Sequence, residues 1–71
     1  MRFRVTLHRE EATSGSYMVF VDCNRAHGWV WSVHSKLSVR TAVLVGDGHA
    51  RSRAQAIAKA EACMERDRRK K

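Results

Sequence analysis

The side chains best suited to bind a metal or to act as nucleophiles are two cysteines and three of the four histidines in this 71-residue chain. Zinc sites usually take such ligands from close pairs, for example two cysteines separated by two residues. Cys23 and His27 form a looser pair, and neither His34 nor His49 completes a second one. Cys63 lies among apolar residues, where a free cysteine is usually a small core residue. We therefore predict no metal site and no cofactor.

Covalent catalysis by a cysteine and a histidine needs more than these two side chains. A third group must orient the histidine, and an oxyanion hole must stabilise the developing negative charge. The sequence contains no recognisable motif for either. We therefore predict that the protein is not an enzyme and that its function is binding.

The cysteines and the first residues bear on the cellular compartment. Cys23 and Cys63 are far apart, and two cysteines are too few for the disulfide framework of most small secreted domains. Residues 1–8 lack the long apolar run of a signal peptide, and no segment approaches the ~20 apolar residues of a membrane span. We expect free thiols, no membrane partner and a cytoplasmic location, bacterial or, for a phage-encoded protein, in the host cell.

Positive charge is the strongest feature of the composition. The chain has 14 basic and 7 acidic residues, which give a formal net charge of +7. Residues 66–71 hold five of the basic residues and one acidic residue, so this basic tail supplies four of the seven excess charges. Such an excess attracts polyanions, which here means nucleic acid or an acidic protein surface. Residues 1–65 are predicted to form the single domain.

Alternating apolar residues predict a sheet over the first two thirds of the chain, because a period of two is typical of strands. Residues 9–16 are polar and contain Gly15, so they are predicted to form a hairpin loop. The segment Gly46-Asp47-Gly48 is predicted to end the sheet. Because the connections are short, the strands should pair as an antiparallel meander. The predicted strands are residues 2–8, 17–23, 29–34 and 37–45.

Residues 52–67 have the pattern of a helix. Ser52 and Gln55 fit a capping box, and the frequent alanines favour helical structure. The predicted inward stripe is narrow and made of small side chains, so most of the core volume must come from the strands, with Trp31 between sheet and helix. The stripe consists of Ala56, Ile57, Ala60, Cys63 and Met64.

These elements predict an α+β fold: an antiparallel meander sheet of three or four strands with one C-terminal helix packed on one face. The other face stays open. If Phe3, Val5 and Leu7 face the helix, basic residues and an apolar residue of the second strand face outward. Such a face could stack bases and bind phosphates, could form a homodimer, or could be an ordinary solvated surface. The polar residues expected on it are Arg2, Arg4, Thr6, His8 and Arg40.

A second candidate surface combines the entrance of the helix with the basic tail. Residues 46–53 are predicted to form a turn whose amides, next to Arg51 and Arg53, suit a phosphate group. The tail adds charge at the other end of the helix, either along a phosphate backbone or as a solubilising end that raises affinity without selecting a ligand. Its basic residues are Arg66, Arg68, Arg69, Lys70 and Lys71.

The last strand, the glycine turn and the sequence Ser52-Arg53-Ala54-Gln55-Ala56 resemble the C-terminal third of double-stranded RNA-binding domains. They are similar as well to the arm-type DNA-binding domains of phage integrases, which combine a sheet with a helix. In the RNA-binding family the basic helix start binds phosphates across the major groove, which implies that role for Arg53. Ala54 and Ile57 stand where that family has lysine, so Arg53 alone carries the implied contact.

The leading interpretation is a small nucleic-acid-binding module that contacts phosphates with the helix entrance and the tail, assisted by the open face of the sheet. The alternative is a protein of a phage or mobile element that inhibits a nucleic-acid-handling complex of a host or a defence system, as anti-CRISPR inhibitors do. DNA, RNA and an acidic protein surface all remain possible partners. The predicted binding residues are Arg2, Arg4, Arg40, Arg51, Arg53, Arg68, Arg69, Lys70 and Lys71.

Overall fold

In the computed structural model, which describes residues 3–5, 9–24, 26 and 28–70, an antiparallel sheet is followed by one helix. The strands lie in the sheet in chain order, so each pairs with its neighbours in sequence. The α+β class and the antiparallel meander are confirmed, but the sheet has five strands rather than three or four. The elements are β1 (Arg4–Val5), β2 (Glu10–Ser14), β3 (Tyr17–Asn24), β4 (Gly28–Lys36), β5 (Ala42–Ala50) and α1 (Arg53–Lys70).

The extra strand is β2, which lies where a hairpin loop was expected. Ala12 is buried opposite Val19 of β3, and the turn of this hairpin is only the two residues Gly15 and Ser16. Polar residues dominate β2 because it lies near one edge of the sheet, where side chains are partly solvated. The loop prediction for residues 9–16 is therefore wrong, since composition alone does not distinguish a polar strand from a loop.

β1 is the outermost strand, and it does not pack against the helix. Val5 is 74 % exposed, because α1 packs against β3, β4 and β5 and leaves this edge uncovered. The condition that Phe3, Val5 and Leu7 all face the helix is therefore not met at Val5, whereas Phe3 is half-buried against the core. Predictions that fall outside the described residues concern Arg2, Thr6, Leu7, His8, His27 and Lys71.

The core lies between the central strands and the helix. Alternate residues of β3 and β4 point toward α1, so that Val19 is paired with Val33 and Val21 with Trp31. All four are buried, and Trp31 keeps only 7 % of its surface exposed, which confirms its predicted place in the core. The other face of these strands has no covering element among the described residues.

β5 starts at Ala42 rather than at Leu37, and it contains the glycine segment that was predicted to end the sheet. A Cβ atom on Gly46 would lie 2.6 Å from Cys63 Sγ, and one on Gly48 would lie 3.1 Å from the Trp31 indole. The glycines therefore allow the helix and the indole to approach the strand closely. They are packing residues, and the turn predicted over residues 46–53 is reduced to Arg51 and Ser52.

The residues predicted to start this strand form the loop 37–41 instead. The N–H groups of Leu37 and Ser38 donate to the Thr41 carbonyl at 2.9 and 3.2 Å, which closes a tight turn. Arg40 lies in this loop, so its predicted position on a strand of the open face is wrong. The register of β5 against β4 shifts after this hairpin, which leaves Val45 as the extra residue of a β-bulge.

The helix follows the sequence prediction most closely. Ser52 Oγ accepts the Gln55 N–H at 3.2 Å, while the Gln55 side chain accepts the Arg51 N–H at 2.7 Å, so two amides at the helix start are capped. The predicted inward stripe is confirmed, with Ile57 half-buried and its other members buried. The helix continues to Lys70, so most of the basic tail is helical. The described residues form no helix that is long and apolar enough to span a lipid bilayer.

Candidate nucleic-acid interface

The excess positive charge of the described residues lies on the helix and its entrance. Residues 3–50, apart from those left undescribed, contain four basic and four acidic residues and are therefore neutral. Residues 51–70 contain seven basic and three acidic residues. Among the described residues, the fold thus places a positively charged helix on a neutral sheet, so the positive electrostatic potential of this part of the chain lies on the side of the helix.

Arg53, the residue that carries the resemblance to RNA-binding domains, is paired within the protein. Its Nε lies 2.8 Å from Glu10 Oε2 and its Nη2 lies 2.8 Å from Glu10 Oε1, a two-pronged ion pair with β2. Its guanidinium also lies 5.5 Å from the centre of the Phe3 ring. The hydrogen bonds from Arg53 hold the pKa of the Glu10 carboxyl below its usual value. Arg53 therefore fastens the helix start to the sheet.

This ion pair predicts that acid weakens the attachment of the helix start. The pKa of Glu10 is lower in the folded protein than its ordinary value of 4.5. The ion pair therefore stabilises the folded state fully at pH values above 4.5, and this stabilisation is lost as the pH falls through the pKa of Glu10 in the folded protein. Glu10→Gln should lower the urea midpoint at pH 7, and the difference from wild type should shrink at pH 3. Glu61→Gln on the exposed surface of the helix serves as the control. An equal difference at both pH values would show that the charge of Glu10 is not involved.

The basic residues predicted on the open face do not form a positive surface in the described part of the chain. Arg4 lies 3.1 Å from Glu11 in an exposed ion pair, and Arg40 is in the 37–41 loop. The expected apolar residue of the second predicted strand is Phe20, half-buried on this face. The Arg9 guanidinium covers its ring at 4.2 Å, and the His34 ring meets it edge-on. Phe20 therefore does not present a bare ring for base stacking.

The helix has two different flanks. On the side toward β2, Arg68 donates to Ser14 Oγ at 3.3 Å and lies 5.5 Å from the centre of the Tyr17 ring. Tyr17 in turn donates its hydroxyl to Asp67 at 2.5 Å. These contacts and the Arg53–Glu10 ion pair attach the helix to the sheet. The arginines on this side of the helix are therefore engaged within the fold.

The side toward β5 carries cations that are largely unpaired. Lys59, Arg66 and Lys70 follow one another at intervals of seven and four residues, which places them on one stripe of a helix. Lys59 donates to the His49 carbonyl at 2.9 Å, whereas the side chains of Arg66 and Lys70 form no ion pair with any described residue. We call these three residues the basic flank.

A groove lies between β5 and the end of the basic flank formed by Arg66 and Lys70. Its volume is about 330 Å³, and Gly46 leaves space in it because glycine has no side chain. Besides these two cations, the groove is lined by the acidic Asp47 and Asp67 and by Trp31, Val45 and Cys63. At either end of the helix, Arg51 and Arg69 are exposed, and Arg69 has only a loose contact of 3.8 Å with Glu65.

The predicted residues are thus only partly brought together. Lys70 belongs to the basic flank, Arg69 precedes it at the end of the helix, and Arg51 lies at the helix start. The other three, Arg53, Arg68 and Arg4, are engaged in contacts within the fold. Sequence reasoning did not select Lys59 as a binding residue. The spacing that Lys59 shares with Arg66 and Lys70 was a usable signal.

The described cysteines and histidines do not form a common site. Cys23 is exposed near the end of β3, and Cys63 is buried beneath the helix. Within residues 3–5, 9–24, 26 and 28–70, no group of three His, Cys, Asp or Glu side chains is placed to hold a metal ion. His27 lies outside those residues.

The fold and the basic flank define a small α+β domain with an open sheet and a positively charged helix. No protein-family model matches the chain, and no curated protein or solved structure shows significant similarity to it. The resemblance to double-stranded RNA-binding domains and to integrase arm domains stays a hypothesis.

Proposed function

We propose that the protein is a small, non-enzymatic nucleic-acid-binding module that holds the phosphate backbone against the basic flank of α1. The observation that carries this proposal is the charge distribution: the described part of the sheet is neutral, and Arg66 and Lys70, which form no ion pair with a described residue, lie with Lys59 on one side of the helix. Unpaired arginine and lysine side chains on one face are the electrostatic pattern of a nucleic-acid-binding surface.

The dimensions of the basic flank suit a backbone contact. Lys59 and Lys70 are eleven residues apart, which corresponds to roughly 17 Å along a helix. Phosphates of one strand recur about every 3.4 Å along a duplex axis, so about 17 Å of axis corresponds to about five of them, and because the strand winds around the axis the straight flank faces only some of these. No aromatic side chain of the described residues is exposed beside the basic flank to stack on a base. The proposed contact is therefore to phosphates rather than to bases, so binding should not depend on the nucleotide sequence.

The test is a comparison of two triple variants. Lys59→Gln, Arg66→Gln and Lys70→Gln together remove the basic flank while glutamine preserves helix propensity. Lys36→Gln, Arg4→Gln and Arg40→Gln remove the same charge from the sheet and the 37–41 loop, and they serve as the matched control. Circular dichroism must first show that both variants are folded.

Binding to labelled duplex DNA, duplex RNA and single strands is then measured over a range of salt. The logarithm of affinity should fall with the logarithm of salt, with a slope of about −0.9 for each phosphate contact on duplex DNA and about −0.7 on a single strand. The flank variant should lose up to about three such contacts on every ligand, and the sheet variant should keep the wild-type slope. Wild-type slopes in the flank variant would place the contact elsewhere, and no binding at low salt would refute the proposal.

The open face favours a second candidate function, the inhibition of a nucleic-acid-handling complex by protein contact. Met18, Phe20 and Val30 are half-buried on this face, and Asp22 is among its charged residues. A surface cavity of about 410 Å³ lies beside Phe20 on this face. An apolar centre with balanced charges is the composition of a protein contact rather than of a phosphate contact. A stable complex with such a protein assembly, formed by a chain that does not bind nucleic acid, would favour this function.

A further inference from the structure

The loop between β4 and β5 carries two of the three most exposed large apolar side chains among the described residues. Leu37 is 64 % exposed and Val39 is 91 % exposed. We call these two residues the aliphatic tip. Val43 and Leu44 lie at the base of the loop, on opposite faces of the sheet, and both are also exposed. Neighbouring exposed aliphatic side chains of this kind mark a contact site, whereas single ones do not.

Positive charge flanks the aliphatic tip. Lys36 and Arg40 lie beside it in the sequence, both are exposed, and neither forms an ion pair with a described residue. Residues 23–46 contain no aspartate or glutamate. An anionic partner would therefore meet attraction and no repelling charge from this hairpin.

The end of α1 adds further cations at the same end of the sheet. The Lys36 N–H donates to the Ser16 carbonyl at 2.7 Å, which joins the base of the loop to the turn between β2 and β3. The next residue of that turn, Tyr17, donates its hydroxyl to Asp67 on α1. The exposed basic residues 68–70 follow directly. The aliphatic tip and the basic end of the helix therefore lie at one end of the molecule.

The loop is closed by its own hydrogen bonds. The N–H groups of Leu37 and Ser38 donate to the Thr41 carbonyl, and the Thr41 N–H donates to Ser38 Oγ at 3.2 Å. Backbone groups that are satisfied within the protein lose little when they leave water, which is the condition for entering a lipid layer. The loop can therefore present its aliphatic side chains to an apolar phase without exposing these amides to it.

We propose that this end of the molecule binds the surface of an anionic lipid bilayer. The aliphatic tip inserts at the boundary between headgroups and acyl chains, while Lys36 and Arg40 contact lipid phosphates. Apolar insertion and attraction of cations to anionic headgroups combine in proteins that lie on a membrane surface. The sequence predicts no membrane partner because it has no spanning segment, but a contact at the surface needs none.

A bilayer suits the aliphatic tip better than nucleic acid does. Residues 36–41 contain no aromatic ring to stack on a base, and aliphatic side chains gain nothing beside phosphates. Val39 is almost fully exposed at the end of a hairpin, and its neighbours are cations. An apolar group held next to cations matches a layer that is charged at its surface and apolar beneath. A protein with an acidic, apolar groove is the competing partner, and vesicles distinguish the two.

Co-sedimentation of the full chain with vesicles tests the proposal. Wild type should bind vesicles of equal parts phosphatidylglycerol and phosphatidylcholine, and it should bind pure phosphatidylcholine much more weakly. A basic chain is attracted to any anionic surface, so a variant must show that the tip inserts. Leu37→Ser with Val39→Ser should weaken binding to the anionic vesicles by about tenfold or more, because apolar burial is lost. Val5→Ser, an exposed aliphatic residue at the opposite edge of the sheet, is the control and should bind as wild type does.

A second pair of variants tests the cations. Lys36→Gln with Arg40→Gln should weaken binding to the anionic vesicles by roughly fivefold for each cation lost. Arg4→Gln with Arg51→Gln removes the same charge from β1 and from the other end of the helix, and it should have a smaller effect. Equal effects of the two double variants would overturn the proposed contact, because the vesicle would then respond only to net charge.

The outcomes separate this proposal from the proposed function. A wild type that does not sediment with anionic vesicles would overturn the bilayer contact and leave an acidic protein as the partner of the aliphatic tip. A tip variant that binds vesicles as wild type does would overturn it as well. Because the tip is uncharged, the Leu37→Ser, Val39→Ser variant should keep the wild-type salt slope on nucleic acid. Vesicle binding and nucleic-acid binding can therefore fail independently.

Discussion

Trp31→Ala is expected to destabilise the protein by about 3–5 kcal/mol, which approaches the whole stability of a domain this small. The indole is buried in the core that the strands share with α1, and Gly46 and Gly48 of β5 lie directly against it. Such small residues cannot move far enough to fill the volume that the indole leaves. The decrease in stability therefore has two causes: the ring is no longer buried, and a cavity is left beneath the helix.

Thermal unfolding followed by circular dichroism measures this effect, with Trp29→Ala as the matched control. Trp29 lies on the same strand, but it is only partly buried against the core, so its replacement should cost less. In the Trp31→Ala variant the basic flank should lose its fixed position, because the helix rests on the missing ring. A cooperative transition with an unchanged midpoint in Trp31→Ala would contradict the described core.

Gly46→Ala is expected to cost about 1–3 kcal/mol, although alanine is normally the better residue in a regular element. The new Cβ atom would meet Cys63 Sγ at 2.6 Å, far inside the usual contact distance. Cys63 is buried, so the contact is relieved only if its Sγ rotates within the core or the helix shifts away from β5. The strain would therefore appear as a lower urea midpoint.

A double-mutant cycle identifies the cause. Cys63→Ala removes the sulfur, so Gly46→Ala should be tolerated much better in that background than in wild type. Neighbouring residues that share one space typically couple by about 0.5–3 kcal/mol, and this pair should lie in that range. Strictly additive effects of the two substitutions would show that the close approach of Gly46 and Cys63 is not what requires glycine there.

Local sequence patterns correctly predicted the strands and the helix whose own side chains form the core. β3 and β4 alternate apolar residues on a buried face, and α1 has a capping residue, frequent alanines and a continuous inward stripe. These signals act between residues close in sequence, or on one face of one element. They therefore predicted these elements, the antiparallel meander and the place of Trp31 without knowledge of their partners.

The elements that sequence reasoning missed depend on residues far away in the chain. Glu10 belongs to a strand although it is charged, because Arg53 neutralises it from the helix. Gly46 and Gly48 continue a strand although glycine favours turns, because Trp31 and Cys63 occupy the space where side chains would lie. In each case a tertiary contact outweighs the local preference of the residue.

The sequence alone determined how much positive charge the protein carries, but only the tertiary structure decided where that charge is available. The net charge of +7 follows from composition. The sequence predicts that Arg53 binds phosphate, yet the fold brings Glu10 within hydrogen-bonding distance of it, while Arg66 and Lys70 form no ion pair with a carboxylate of the described residues. Charges interact through space, so a cation is free or paired according to which strand the helix crosses.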